Sequence, residues 1–513
     1  MAMDEHQNNK RIAKNTLLLY FRMLVTMAVG LYTSRVILQN LGVEDFGIYN
    51  VVGGFVAMFT ILSGSLSAAI SRFLTFEIGK NDRERLKRVF SSAVTIQLLL
   101  TIIVVLVAET VGLWFLNCKM SVPQDRLYAA NWVFQMSVVA FGVNLISVPY
   151  NAAIVAHERM SAFAYISIIE AFGKLAVAWL IVISRFDRLI FYSILMCCIA
   201  LAIRLVYGWY CRSHFEECSY RFVLDKILLK QMFGFAGWNF IGASSAVLRD
   251  HGVSVVLNLF FGPVVNAARG VAVQVQHAVG QFQSNFMIAL NPQITKSYAN
   301  ENHEYMMTLI YQGARLSFYM LLFLSLPILL NAEFILSLWL KIVPEHAARF
   351  VQLILIFIMS ESISSPLVTA MLATGNIRNY QIVVGGLQML NLPVTYVLFK
   401  IGFAPEYAFI TAIVISQFCF FARLFMLRKM IALKVGLYLT KVYLNIIVVS
   451  ALSIAIPLLI KNSFFSNSNA LNFVFISFFS VICTAIVILC VGCNHDERVL
   501  VKNKIVRLRK KVF

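Results

Sequence analysis

The sequence predicts an all-α integral membrane protein of about fourteen transmembrane helices, arranged as two pseudo-symmetric six-helix lobes and two C-terminal helices. Three observations carry this. Of 513 residues, 60% are hydrophobic and only 13% are charged, with 42 phenylalanines, far from a soluble composition. Apolar stretches of about 20 residues, each long enough to cross roughly 30 Å of hydrocarbon as a helix, recur along the whole chain. A weak internal repeat at an offset of about 220 residues has the scale of half a transporter.

The spans begin near Ile12, Phe46, Val89, Leu127, Met160, Leu189, Phe233, Val264, Leu309, Phe350, Tyr380, Tyr407, Val442 and Leu471. The leading MAMDEHQNNKRIAKN has mixed charge, and the apolar run behind it is too long for a signal-peptide core, so it reads as a retained first span. In the repeat, QNLGVEDFGIYNVVGGFV lies on NLFFGPVVNAARGVAVQV and AAISRFLTFEIGKND on IALNPQITKSYANEN, which sets Gly42 on Gly262 and Arg72 on Pro292. The expected division is 1–231 for the N-lobe, 232–441 for the C-lobe, and 442–513 for the last two helices and a basic tail. With an even number of spans between them, the lobes share one orientation, and a cleft between them is the expected substrate path.

The formal net charge of +19 invites a nucleic-acid reading, but the positions of the charges explain it. Alternate loops are basic: Lys10, Arg11 and Lys14, then KNDRERLKR, the connection 212–230, LRKMIALK and the tail RVLVKNKIVRLRKKVF. Counting these and the short loops at Arg159, Lys296 and Arg378 sets about 26 Lys/Arg on one side against about 8 on the other. Both termini are therefore expected in the cytoplasm, and no aromatic-interleaved basic module speaks for nucleic acid. The cysteines are scattered and offer no disulfide framework. CVGCNH lacks the adjacent Cys-His of a haem-attachment motif, so neither metal nor cofactor is expected. No connection is long enough for a soluble catalytic domain, which needs roughly 50 residues. The chemistry belongs in the membrane, and the chain does not read as an enzyme.

Polar residues within the spans mark where that chemistry lies. In the first span Asn15, Arg22, Thr26 and Thr33 fall within about 40° of one another on a helix. Thr60, Ser63, Gly64, Ser67 and Ser71 form a second stripe, equally suited to close helix packing. In the seventh span, SSAVLRDHGVSVVLNLFF holds Arg249, Asp250 and His251 in a row; a charge at bilayer depth costs about 2.5–3.5 kcal/mol even on lenient scales. Arg249 shares a face with Trp238, Gly242, Ser245 and Gly252, while Asp250 points about 100° away, so the three converge only where the helix loosens near Gly252. Arg249 reads as a cavity cation and Asp250 as its partner, either structural or ion-coupled.

The eighth span sets Gln274, His277, Gln281, Ser284 and Asn285 on one side, with Gln276 and Gln283 opposite. Such amides demand water, ligand or an interhelical ladder. Buried charge leans cationic: Arg22, Arg35, Arg72, Arg204, Arg249, Arg269 and Arg315 against Glu109, Glu361 and Asp250, with Glu170 and Lys174 one turn apart and able to neutralise each other. An arginine-rich cavity suits an anion, and pyrophosphate suits bidentate guanidinium recognition best. The candidate substrate contacts are Arg22, Arg35, Arg72, Arg249, Arg269, Gln274, His277, Gln281 and Asn285; Asp250, Glu170 and Lys174 are the candidate ion-coupling or structural pairs.

With LGVEDFGIYNVVGG, LNPQITKSYANEN, FILSLWLKIVPEH and ATGNIRNYQIVVGG, the chain resembles bacterial O-antigen and capsule repeat-unit flippases of the multidrug/oligosaccharidyl-lipid/polysaccharide exporter (MOP) superfamily. The resemblance spans nearly the whole chain. It implies a multi-pass protein of the bacterial cytoplasmic membrane that works as a monomer, loosely associated with polysaccharide polymerase machinery. It also implies an undecaprenyl-pyrophosphate-linked oligosaccharide substrate, moved from inner to outer leaflet by alternating access for lipopolysaccharide O-antigen or capsule assembly. The rival readings are a drug or cation antiporter of the same superfamily, which favours cavity carboxylates over arginines, a polysaccharide polymerase, which calls for a large outer loop, and a non-transporting assembly scaffold.

Overall fold

A computed structural model describes residues 2–57, 59–118, 123–183, 187–221, 225–340, 343–464, 470–494 and 497–498. The described residues are mostly helical and include no strand, as the apolar spans predict. In chain order the main helices are α1 (Ala2–Ala57), α2 (Thr60–Lys80), α3 (Arg83–Val107), α4 (Leu127–Ala156), α5 (Met160–Ile183) and α6 (Arg188–His214), then α7 (Lys226–Ala299), α8 (His303–Leu330), α9 (Ala347–Thr374), α10 (Asn391–Ile401), α11 (Tyr407–Ile431), α12 (Asn445–Phe464) and α13 (Ala470–Val487). Eleven helical segments among the described residues are long and apolar enough to cross a membrane. The three other expected spans, from Phe46, Phe233 and Val264, fall on helix but are not among the eleven. They are also the spans that hold the serine stripe, the Arg-Asp-His triplet and the amides.

Helix ends follow local chemistry. Asp82, Asp187 and Asp225 cap α3, α6 and α7, each carboxylate accepting backbone N–H groups of the first turn, which satisfies donors that the helix leaves unpaired. Two arms of α7 meet at Gly262, whose φ of 79° and ψ of −174° lie in a region essentially reserved for glycine. The break thus lies at Gly262, ten residues beyond Gly252 and next to Pro263, where the proline removes an N–H as well.

The chain forms two compact units. The first comprises 1–244, 291–302 and 375–378. In it α4 packs along α6 and α1 along α5, around a core that includes Val52, Leu116, Phe134 and Ile181. Phe90 meets Tyr150 edge-on at 5.1 Å. The second comprises 245–290, 303–374 and 379–513, with α9 packed on both α8 and α11. Its centre holds Phe350 against Phe409, with rings 4.7 Å apart, and Tyr438, whose buried hydroxyl donates to the Ile363 carbonyl at 2.9 Å. Outward faces stay apolar: Phe418, Phe425, Phe478 and Leu459 are all more than half exposed, which suits contact with lipid and would be penalised in water.

Candidate functional site

Within the second unit, α7 and α9 line a cavity of about 290 Å³. From α7 come Arg249, Gln276, His277, Gln281, Gln283 and Ser284; α9 supplies Phe357, Glu361 and a serine-rich turn, Ser362, Ser364 and Ser365. That turn ends in Pro366, inside the helix, so the Ser362 carbonyl loses its usual intrahelical donor and the wall gains polarity from backbone as well as side chains. Gln283 Nε2 donates to Ser365 Oγ at 2.8 Å. Behind the wall, Gln417 Nε2 donates to Ser360 Oγ at 2.5 Å and the Tyr443 hydroxyl to Gln417 Oε1 at 3.1 Å. These contacts between half-buried groups restrain the polar side chains of α7, α9 and α11.

Arg249 sits at the edge of this cavity with its guanidinium carbon 5.2 Å from the centre of the Phe357 ring. Its Nε donates to Asp250 Oδ1 at 2.8 Å and its Nη2 to Asp250 Oδ2 at 3.3 Å. The adjacent side chains diverge at Cβ but curl back to a bidentate pair. The pair is lopsided: Arg249 is 14% exposed and Asp250 51%. Glu361 lies 4.0 Å from the buried Arg423. Arg269 is also buried and donates from Nη1 to Ser254 Oγ.

The expected contacts are therefore distributed. Arg249, His277 and Gln281 share the cavity. Gln274 is exposed on the same helix but does not line the cavity, and Asn285 is buried, its amide donating to the Gln281 carbonyl one turn back at 2.8 Å. Gln276 and Gln283, expected on the far side, line the cavity as well. Glu361, Arg423 and the serine turn escaped selection as site residues, although SESISSP (360–366) inside an apolar span carried the signal.

The remaining candidates belong to the first unit. Arg22 Nη1 donates to Ser167 Oγ at 3.4 Å and its guanidinium carbon lies 4.6 Å from the Phe163 ring centre. Arg72 is enclosed by aromatic rings, 4.7 Å from Phe73, 4.8 Å from Phe76 and 5.8 Å from Phe235, and abuts Gly375. Cation–π contact lets such a cation sit among apolar groups. Lys174 and Glu170 form an ion pair at 2.7 Å. The side chains of Arg35 and His251 lie outside the described residues. Among the described residues no group of three His, Cys, Asp or Glu side chains could hold a metal ion.

The described residues thus combine eleven helical segments long and apolar enough to cross a membrane with a charged, amide-lined cavity in the second unit. Residues 12–302 match the polysaccharide biosynthesis protein family; the chain belongs to that family, and its fold is that of MOP-superfamily transporters. An outward-facing multidrug resistance MATE family transporter of the MOP superfamily superposes with a TM-score of 0.71 at 11% identity, over 83% of this chain and 96% of that one. A MATE structure in the bent conformation gives 0.72 at 12% identity, over 83% and 97%. A MOP superfamily transporter from Pyrococcus furiosus Vc1, described with a binding pocket of reverse polarity, gives 0.67 at 12% identity, over 82% and 96%. No curated protein matches the sequence.

Proposed function

We propose that this protein is a flippase for undecaprenyl-pyrophosphate-linked oligosaccharide repeat units, carrying them from the inner to the outer leaflet of the cytoplasmic membrane for surface polysaccharide assembly. One observation carries the reading: Arg249 lines the same cavity as His277, Gln281 and the serine turn of α9. A guanidinium can grip a phosphate with two parallel hydrogen bonds. Amides and hydroxyls exchange donors and acceptors with sugar hydroxyls without demanding one sugar. The polyprenyl tail stays in lipid while the polar head crosses, which spares the head the cost of bare hydrocarbon. Arg22, Arg72 and Arg269 are proposed as further cationic stations and Asp250 as the partner of Arg249. The lobes 1–231 and 232–441 are proposed to alternate access, with the last two helices beside the tail.

The test is complementation of a flippase-deficient strain. Arg249→Ala and Arg22→Ala should each abolish surface polysaccharide at normal membrane levels of protein. Lysine should rescue only in part, because it cannot reproduce the bidentate fork. Normal polysaccharide in both alanine variants overturns the assignment.

A second reading has its own support. Glu361 in the cavity wall and the half-exposed Asp250 offer carboxylates of the kind a drug or cation antiporter uses. Drug-stimulated proton exchange in vesicles, lost in Glu361→Gln, would favour that reading over the flippase.

A further inference from the structure

The turn between α4 and α5 holds an unusual carboxylate. Glu158 has a φ of 58°, a left-handed conformation that costs a residue with a Cβ roughly 1–2 kcal/mol and that glycine adopts freely. Its side chain is only 1% exposed and pairs with Arg11 Nε at 2.8 Å and Lys296 Nζ at 2.6 Å. Gln293 Nε2 donates to Oε2, the oxygen that also faces Arg11, at 2.5 Å, and Asn15 Nδ2 donates to the Glu158 backbone carbonyl at 3.4 Å. A buried carboxylate with two cations and an amide is fully satisfied, and removing its charge would leave two cations facing each other.

Lys296 and Gln293 lie on the last turns of α7, the same arm that carries Gln276 to Ser284 of the cavity. This end is seated closely. A Cβ at Gly79 of α2 would stand 2.8 Å from the Ala299 Cβ and 3.1 Å from the Lys296 Cα, and Phe76 lies tilted against Tyr298 with ring centres 6.4 Å apart. Residues 291–302 accordingly count with the first unit, although the chain on both sides of them, 245–290 and 303–374, counts with the second. Packing and the Glu158 contacts together fasten them there. Charge-assisted contacts of this kind are strong when formed, yet another anion offered to Lys296 and Arg11 can exchange for Glu158.

We infer that Glu158 is a releasable clamp on the C-terminal end of α7, a positioning residue that holds the cavity-lining arm through Lys296 and Gln293 and lets it go in each transport cycle. The clamp stands on its own contacts; that an anionic phosphate group releases it rests on the flippase reading.

The experiment uses the full chain in inside-out membrane vesicles, with Ser297→Cys as reporter. Ser297 is 6% exposed, so maleimide labelling at that position, resolved by mass spectrometry, reports detachment of the helix end. Glu158→Gln should speed labelling about tenfold or more, the factor expected from losing one charged hydrogen bond. Lys296→Gln, which leaves Glu158 and Arg11 in place, should speed it less, and provides a second variant should Glu158→Gln fold poorly. Unchanged labelling in both overturns the clamp. Inorganic pyrophosphate should also speed labelling of the Ser297→Cys parent, and chloride at equal ionic strength should not. If the variants open the helix end while pyrophosphate does nothing, the clamp stands and the phosphate-bearing substrate is overturned.

Discussion

Replacing Asp250 with asparagine keeps the shape of the side chain and removes its charge, which isolates one question: how much the Arg249–Asp250 pair is worth. Breaking a fully buried ion pair costs about 3–5 kcal/mol, whereas an exposed pair contributes about 0–1 kcal/mol. With Arg249 14% and Asp250 51% exposed, the pair lies between these limits, and Asp250→Asn should destabilise by about 1–2 kcal/mol. Adding Arg249→Met, which keeps an apolar stem over the Phe357 ring, should recover most of this loss because no buried cation is left unbalanced. Thermal unfolding of the detergent-solubilised protein reads both variants, and the double-mutant cycle yields the coupling directly. A double variant as unstable as Asp250→Asn alone would refute mutual neutralisation. Function separates the roles further. If Asp250 carries a coupling ion, Asp250→Asn loses gradient-driven transport in reconstituted vesicles and the double variant does not regain it; a full gradient response in Asp250→Asn removes the coupling role.

Three other outcomes are expected. Gly375→Ala should destabilise the first unit by about 1–2 kcal/mol, since Gly375 has a φ of 77° and a Cβ there would stand 2.5 Å from Arg72 Nη2; an unchanged unfolding midpoint would show that the α9 end turns freely. Glu217, in the connection between α6 and α7, is pushed up by burial and pulled down further by its bond to His157, which leaves its carboxyl below the usual range. Its stabilising contribution should therefore be complete above about pH 4.3, the ordinary glutamate value, and be lost as pH falls through its depressed pKa; the difference in stability between the parent and Glu217→Gln, followed from pH 6 to pH 3, should shrink accordingly. Finally, cysteines placed in KNDRERLKR should resist an impermeant maleimide in intact cells while one near Pro344 reacts, as the Lys/Arg asymmetry demands; the opposite pattern would invert the topology.

The class of the molecule was legible because hydrophobic composition and span length are local properties that hydrocarbon thickness dictates. The concentration of amides and charges on the seventh and eighth spans was legible too, since such groups need water, a ligand or one another in the membrane. Which residues meet was a different matter. Helical periodicity sends Arg249 and Asp250 apart at Cβ, and only their bent side chains bring the charges together. Periodicity likewise grouped Asn285 with Gln281, whereas packing buries Asn285 against its own helix and turns Gln276 and Gln283 to the cavity. Glu361 and the serines of α9 joined the site from about 110 residues downstream, a juxtaposition that no spacing rule reaches. By itself the sequence determined an all-helical membrane protein with charges and amides set within its helices. The tertiary structure alone decided the break at Gly262, the pairing of Arg423 with Glu361 and the capture of Lys296 by Glu158. The reason is physical: a backbone pattern sets which face a residue occupies, but the partner across that face is chosen by helices packed from distant parts of the chain.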